Sequence, residues 1–196
     1  MADMMQSQIV SRPRYRELAA EDTAGVHLLI VEGDTLAPGQ MAALAAAFAP
    51  VAARLQTWLV SAPATALAPG KVCKLQTVEE AAAAIEAMPE GFGIADRLYL
   101  QGTEPFMWSL ATVAGRAGLS PSQIRMQHAG SLKRRVWCTH CHQTTENVTT
   151  NIVTCTGCGR ELLVRDHFSR RLGAFMGVMV DAEAPGEVPK REEVFP

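Results

Sequence analysis

Two pairs of cysteines constrain the fold of this chain more than any other feature. Cys138 and Cys141 form one C-x2-C pair, and Cys155 and Cys158 form a second pair after thirteen intervening residues. Each pair places two thiolates on one tight turn, and a short hairpin between the turns lets all four converge tetrahedrally on one ion. The spacing therefore predicts a closed, four-cysteine metal site.

The sequence constrains the identity of the metal less tightly, because zinc and rubredoxin-type iron both accept four thiolates. An iron knuckle usually has glycine after its second cysteine, since amide-to-sulfur hydrogen bonds need an open backbone there. Gly159 meets this need after the second pair, whereas His142 follows the first pair. Zinc is therefore favoured and iron is the alternative. His140 and His142 are expected to be exposed, and a closed site of this kind is structural rather than catalytic.

Composition excludes several classes of protein. Apolar residues make up 48% of the 196 residues and charged residues 19%, which is enough to form a core. A net charge of −2 provides no broad basic field for nucleic acid, and no apolar run is long enough to span a membrane. The odd count of five cysteines and the absence of an apolar signal-peptide core argue against a disulfide framework. We expect a cytoplasmic protein without nucleic-acid or membrane partners, in which Cys73 is a small buried strand residue.

Short apolar runs alternate with helical periodicity over the first two thirds of the chain. Thr77, with Glu80 three residues later, has the pattern of a capping box. Strands are predicted at 26–31, 56–61, 71–75, 97–100 and 124–128, and helices at 40–55, 77–88 and 104–118. This alternation predicts an α/β fold with an open, mostly parallel sheet, followed by a small zinc-ribbon domain.

The composition changes after residue 128, where the cysteines appear. Residues 129–172 contain seven Lys/Arg against three Asp/Glu, and Lys133, Arg134 and Arg135 are expected to form a solvated strand edge. Ribbon strands are predicted at 133–137, 148–153 and 161–164. The apolar run Leu172–Val180 is expected either to enter the core of this chain or to dock on another subunit. The predicted domains are an N-terminal arm (1–20), an α/β domain (21–130), a zinc ribbon (131–180) and an acidic, proline-rich tail (181–196).

A second polar cluster follows the ribbon strands at residues 165–171. It combines a carboxylate, an imidazole, a hydroxyl and three guanidiniums. A Ser/His/Asp hydrolase is excluded because neighbours in sequence rarely form a triad and no nucleophile elbow precedes Ser169. Arg165, His167, Arg170 and Arg171 are candidates for contact with an acidic partner or a cofactor carboxylate. The alternative is a solvated or internally paired loop.

Residues 98–130 resemble the last strand–helix–strand unit of the ferredoxin–NADP reductase nucleotide domain. The run LLIVEGDTLAP at 28–38 likewise resembles its first strand and glycine-rich turn. This sequence places Glu32 and Asp34 where an anionic phosphate would bind, and Gln101 where that family has a cysteine beside the nicotinamide. The resemblance therefore implies a degenerate nucleotide fold that has lost NADPH.

The C-terminal half is similar to a narrower family. The segments CTHCHQTTENVTTNIVTCTGCG, LLVRDHFSRRLGAFMGV and YLQGTEPFMWSLA resemble the small DmmA-type subunit of bacterial dimethylamine monooxygenases. The resemblance implies an accessory subunit of an NADPH-dependent haem enzyme that converts dimethylamine and O₂ to methylamine and formaldehyde. It also implies partner subunits that carry haem, FMN and a [2Fe–2S] cluster, with the haem subunit a possible partner of the 165–171 cluster. Two alternatives are a rubredoxin-like electron-transfer subunit and a free-standing zinc-ribbon binding module.

Overall fold

The computed structural model describes residues 11–62, 68–88 and 91–196. These residues form two compact units: Tyr15–Leu132, and Lys133–Pro196 together with the described residues before Tyr15. The first ten residues of the predicted N-terminal arm lie outside the described residues, as does most of the predicted loop after the second strand.

The first unit is built on one sheet of five parallel strands. Its strand order is β3-β2-β1-β4-β5, which confirms the predicted α/β fold with an open parallel sheet. Strand order changes direction between β1 and β4, and such a switch point is where doubly wound sheets bind their ligands. The strands are β1 His27–Glu32, β2 Leu55–Val60, β3 Lys71–Leu75, β4 Arg97–Gly102 and β5 Ile124–His128. The helices are α1 Gln40–Phe48, α2 Val78–Glu86 and α3 Glu104–Arg116.

Apolar side chains cover both faces of this sheet. Leu28 and Ile30 pack on the face that carries α2 and α3, whereas Leu29 and Val31 pack on the face that carries α1. All four are almost completely buried. A strand covered on both faces needs apolar residues at every position, which explains the continuous apolar run in β1.

The end of α1 and the capping contacts of α2 differ from the sequence prediction. The helix predicted over 40–55 ends at Phe48, and residues 49–54 form a 3-10 helix instead. Pro50 has no N–H to donate and its ring crowds the preceding turn, so the α-helix does not continue through it. At the start of α2, the Thr77 side chain accepts from the Glu80 N–H at 3.2 Å, as predicted. The Glu80 carboxylate accepts from the Gln76 N–H at 2.7 Å, whereas a capping box would use the Thr77 N–H.

The second unit is a mixed five-stranded sheet with the order β7-β6-β10-β9-β8. Its central strand, β10, comes from the apolar run Leu172–Val180. Of the two alternatives predicted for this run, burial in the core of this chain is therefore the one observed. β10 pairs in parallel with β6 and antiparallel with β9. The strands are β6 Arg134–Cys138, β7 Thr144–Val148, β8 Ile152–Thr154, β9 Glu161–Ser169 and β10 Ala174–Met179.

Several local predictions were wrong. The strand predicted at 148–153 is interrupted, because Thr149 O accepts N–H bonds from Val194 and Phe195 instead of continuing a sheet ladder. Arg134 is 3% exposed rather than solvated. Its guanidinium lies 3.9 Å from the Phe175 ring centroid and 3.7 Å from that of Phe195.

Cys73 is exposed, although a buried position was predicted. It lies on β3, an edge strand whose residues are mostly exposed. Among the described residues, no helix combines the length and the apolar character needed to cross a bilayer.

Candidate metal centre

The two cysteine pairs fold into matching turns. At the first turn, the Cys138 N–H donates to Gln143 O at 2.9 Å, and the N–H of residue 142 donates to Cys138 O at 3.0 Å. At the second turn, the Cys155 N–H donates to Arg160 O at 2.8 Å, and the N–H of residue 159 donates to Cys155 O at 3.0 Å. The same C-x2-C-x2 spacing therefore gives the same backbone hydrogen bonds twice.

These turns bring all four sulfur atoms together. The Sγ atoms of Cys138, Cys141, Cys155 and Cys158 all lie within 4.8 Å of one another. Cys138 and Cys158 are separated by 3.9 Å, and Cys141 and Cys155 by 3.5 Å. A tetrahedral ion with metal–sulfur bonds of about 2.3 Å requires sulfur separations of about 3.8 Å. The cluster therefore has the donor atoms and the spacing to hold one such ion without rearrangement.

The residue after each pair adopts a left-handed backbone conformation. The φ angle is +65° at His142 and +73° at Gly159. Glycine adopts this conformation freely, whereas a residue with a Cβ pays about 1–2 kcal/mol. The His142 ring stacks on Trp137 with centroids 5.0 Å apart and an interplanar angle of 9°, a contact that offsets part of this strain. The sequence difference between the knuckles thus leaves their backbone conformation unchanged.

Gly157 lets the second turn pack closely against the first. A Cβ atom added at Gly157 would lie 2.5 Å from Gln143 Cγ and 3.1 Å from Cys141 Sγ. The Gly157 N–H donates to Cys155 Sγ at 3.4 Å. The equivalent residue of the first turn, His140, is exposed and lies 3.0 Å from an Arg160 guanidinium nitrogen. Neither His140 nor His142 belongs to the thiol cluster found among the described residues.

The pKa values of Cys141 and Cys158 are shifted in opposite directions. The backbone N–H of Arg160 is the main cause that lowers the pKa of Cys158 to about 6. The backbone N–H of Gln143 favours the thiolate of Cys141, but burial and hydrogen bonds with the other three thiols outweigh it and raise that pKa to about 12. A thiolate therefore forms more readily at Cys158 than at Cys141. Metal binding must release protons from this site.

The polar cluster at 165–171 lies in β9 and in the turn before β10, rather than in a loop. Asp166 accepts from the Arg134 guanidinium at 2.6 Å, and Ser169 Oγ accepts from the Leu172 N–H at 3.3 Å. Both groups are thus engaged in hydrogen bonds within the ribbon. Arg165, Arg170 and Arg171 are exposed, and His167 is half-buried. Within the described part of the chain, no carboxylate lies at ion-pair distance from these three arginines.

Sequence reasoning missed one residue that organises the ribbon. Arg134 sits between two phenylalanine rings and pairs with Asp166, so its charge is compensated inside the unit. Arg134, Val136 and Cys138 alternate along β6, and all three are buried. Side chains two residues apart in a strand lie on the same face, so the positions of Val136 and Cys138 in the sequence could have indicated that Arg134 faces inward.

Comparison with known families extends over both units. A family model described as the N-terminal domain of the DmmA-like dimethylamine monooxygenase subunit matches residues 7–124, and the model of its C-terminal domain matches residues 135–178. The chain belongs to the DmmA-like family. The resemblance noted in the C-terminal half is therefore confirmed.

A relative of known annotation also matches this DmmA-like chain. The delta subunit of a heme-dependent oxidative N-demethylase from Ectopseudomonas mendocina (strain ymp) is 44% identical over 89 residues. The match covers 45% of this chain and 51% of the relative, so the chain spans about half the length of that subunit. Among solved structures, the apo form of the FAD-binding ferredoxin reductase in carbazole 1,9a-dioxygenase has a TM-score of 0.41 at 16% identity. That match covers 56% of this chain and 37% of the reductase chain.

Proposed function

We propose that this DmmA-like chain is an accessory subunit of a heme-dependent oxidative N-demethylase that acts on dimethylamine. The complex would convert dimethylamine, O₂, NADPH and a proton to methylamine, formaldehyde, NADP⁺ and water. Family membership over both units and the 44% identical delta subunit support the accessory role. The chain alone would not be catalytic, because its four-cysteine cluster leaves no ligand position for a substrate.

The proposed role of the metal is to stabilise the ribbon, with zinc as the ion. Zinc prefers a tetrahedron of thiolates, and the sulfur separations of 3.5 and 3.9 Å match that geometry. Apparent binding free energies of about 10–16 kcal/mol are typical of small structural zinc sites. We propose that the ion adds this free energy to that of the unit's own apolar core.

The proposed partners are the subunits that carry haem and those that carry FMN and a [2Fe–2S] cluster. The three exposed arginines near the β9–β10 turn offer guanidiniums for carboxylates of the haem-binding subunit, with His167 beside them on β9. Bidentate guanidinium–carboxylate pairs give orientation as well as binding energy. We place the complex in the cytoplasm.

A rubredoxin-like electron carrier is the second candidate. Two observations favour it: both knuckles have the left-handed residue that follows the second cysteine, and the Gly157 N–H donates to Cys155 Sγ. Amide-to-sulfur bonds of this kind tune the potential of iron–thiolate centres. In this case the cluster would relay electrons from the reductase subunit to the haem.

Metal analysis and a visible spectrum of the untagged full chain separate the two candidates. One zinc per chain and no colour supports a structural site, whereas one iron with a thiolate charge-transfer band that bleaches on reduction supports the electron carrier. Coexpression with the haem and reductase subunits then tests the accessory role. We expect a stable complex that demethylates dimethylamine, and neither activity nor haem in this chain alone. Turnover by the isolated chain, or full turnover without it, would contradict the proposal.

A further inference from the structure

The switch point between β1 and β4 is the place where a nucleotide-binding sheet holds phosphate. In such folds, the phosphate lies at the turn after the first strand and accepts hydrogen bonds from a helix N-terminus. Here Glu32 ends β1 at that turn, and its side chain reaches across the switch point to the start of α3, which follows β4. Oε2 of Glu32 accepts from the Thr103 N–H at 2.7 Å and from Thr103 Oγ1 at 2.9 Å.

Glycine makes this close approach possible. A Cβ atom added at Gly102 would lie 2.5 Å from Glu32 Oε2 and 2.7 Å from Glu32 Cβ. In dinucleotide-binding folds, a glycine in the phosphate-binding turn lets the backbone approach the pyrophosphate. In this chain the group that comes close is the Glu32 side chain, so the glycine serves an internal contact.

Other groups also pack at this crevice. A Cβ atom added at Gly130 would lie 2.7 Å from Thr35 Cγ2 and 3.3 Å from Thr103 Cγ2, so the segment after β5 packs against both turns. Thr35 Oγ1 also donates to Glu32 O at 2.8 Å. Gln101, at the position expected beside a nicotinamide ring, is completely buried, and its amide has no hydrogen-bond partner among the described residues. The turn after β1, the start of α3 and the segment after β5 thus pack against one another at this edge of the sheet.

The charge of this crevice also disfavours a phosphate. Burial is the main cause that raises the pKa of Glu32, the Thr103 bonds oppose it, and the neighbouring Asp34 raises it further. Glu104, the first residue of α3, is buried and accepts from the Tyr15 hydroxyl at 2.8 Å. Bringing a pyrophosphate to these carboxyl groups would add repulsion in a poorly solvated place.

We infer that the Glu32 side chain takes the helix N-terminal donors at the switch point that a bound phosphate would need, so the α/β unit does not bind NADPH there. The Glu32–Thr103 contact instead joins the end of β1 to the start of α3 and closes the switch point. This inference concerns the α/β unit and does not depend on the proposed function. If a complex containing this chain uses NADPH, another subunit must bind it.

Chemical rescue of a truncated side chain tests whether a carboxyl group is what fills this position. Glu32→Ala removes a fragment the size of acetate and leaves the Thr103 donors unpaired. We expect its Tm to fall by about 3–8 °C. Sodium acetate should restore at least half of that loss relative to sodium chloride at equal ionic strength. Asp34→Ala is the matched control, because it removes an exposed carboxylate from the same turn; its response to acetate should equal that of the wild-type chain.

A titration of the wild-type full chain with NADPH is the second measurement, and it does not depend on the folding of any variant. We expect no change in NADPH fluorescence or in the heat of mixing up to about 1 mM ligand, and the same result with inorganic pyrophosphate. Saturable binding of NADPH in the micromolar range would overturn the inference. So would a Glu32→Ala variant that folds, loses stability and gains nothing from acetate beyond the response of the Asp34→Ala control.

Discussion

The two units of this chain are stabilised in different ways. In the α/β unit, aliphatic side chains such as Ile30, Leu100 and Leu110 are completely buried between the sheet and its helices. In the ribbon unit, aliphatic and aromatic side chains are buried as well, together with Cys138 and Arg134. We therefore expect the first unit to depend on hydrophobic burial alone, and the second to depend also on the proposed metal ion and on a compensated charge. Small domains bury a smaller fraction of their surface, so such additional links contribute relatively more to their stability.

Loss of one thiol ligand should have the largest effect and should be confined to the ribbon. Cys155→Ser removes a buried ligand, so we expect metal content to fall from about one ion per chain to near zero and the ribbon to unfold. The free energy at stake is on the order of 10 kcal/mol. Cys73→Ser is the matched control, because Cys73 is exposed on β3 and lies outside the four-thiol cluster. Elemental analysis and circular dichroism measure both outcomes, and a Cys155→Ser variant that kept its metal would refute the ligand set.

Truncation of a core side chain in the α/β unit should destabilise that unit without loss of metal. Leu110→Ala opens a cavity beneath α3, where Leu110 is completely buried. We expect the free energy of unfolding of this unit to fall by about 2–5 kcal/mol. Urea unfolding followed by circular dichroism measures the loss, and metal content should stay at one ion per chain. Metal loss in this variant would show that the two units are not independently stabilised.

Two glycines of the second knuckle give a finer test of how the ribbon is built. Gly157→Ala places a Cβ atom 3.1 Å from Cys141 Sγ and against Gln143, so one turn must shift, at a cost of about 1–3 kcal/mol. Gly159→Ala meets no atom within 4 Å and carries only left-handed strain of about 1 kcal/mol. Competition with a chromogenic chelator should therefore show a larger loss of metal affinity for Gly157→Ala. Equal losses would mean that close packing of the knuckles does not control affinity.

A pH titration should detect the smallest effect, at the switch point of the α/β unit. The pKa of Glu32 is higher in the folded chain than in the unfolded chain, chiefly because of burial. Its stabilising contribution is therefore full below the unfolded pKa and is lost as the pH rises through the folded pKa. Glu32→Gln does not titrate, so the stability of the wild-type chain relative to this variant should decrease as the pH rises from the unfolded pKa, about 4.3, through the folded pKa. A relative stability that increased over this range would show that the site favours the ionised carboxylate.

The sequence predicted the α/β fold well because its periodic patterns are local. β3 and β5 lie where predicted, and Pro50 explains why one helix ends early. Long-range pairing was not predictable in the same way. The interruption after Val148 depends on hydrogen bonds between Thr149 and the last residues of the chain, which are more than forty positions away.

The candidate site shows the same division between local and distant causes. Cysteine spacing predicted which four thiols the turns bring together, because each C-x2-C pair is a local structure. The burial of Arg134 depends on Phe175, Phe195 and Asp166, all distant in sequence. The left-handed conformation of His142 was likewise not predicted from the sequence, because the turn imposes it and the ring of Trp137 stabilises it.

Hydrogen exchange of the full chain, measured by mass spectrometry with and without a strong chelator, tests the central claim most directly. If the bound ion stabilises the ribbon, metal removal should abolish protection from residue 134 to residue 179. Protection of the five parallel strands between residues 27 and 128 should remain unchanged. Loss of protection in both units, or in neither, would contradict the account that one unit is held by its apolar core and the other by its metal.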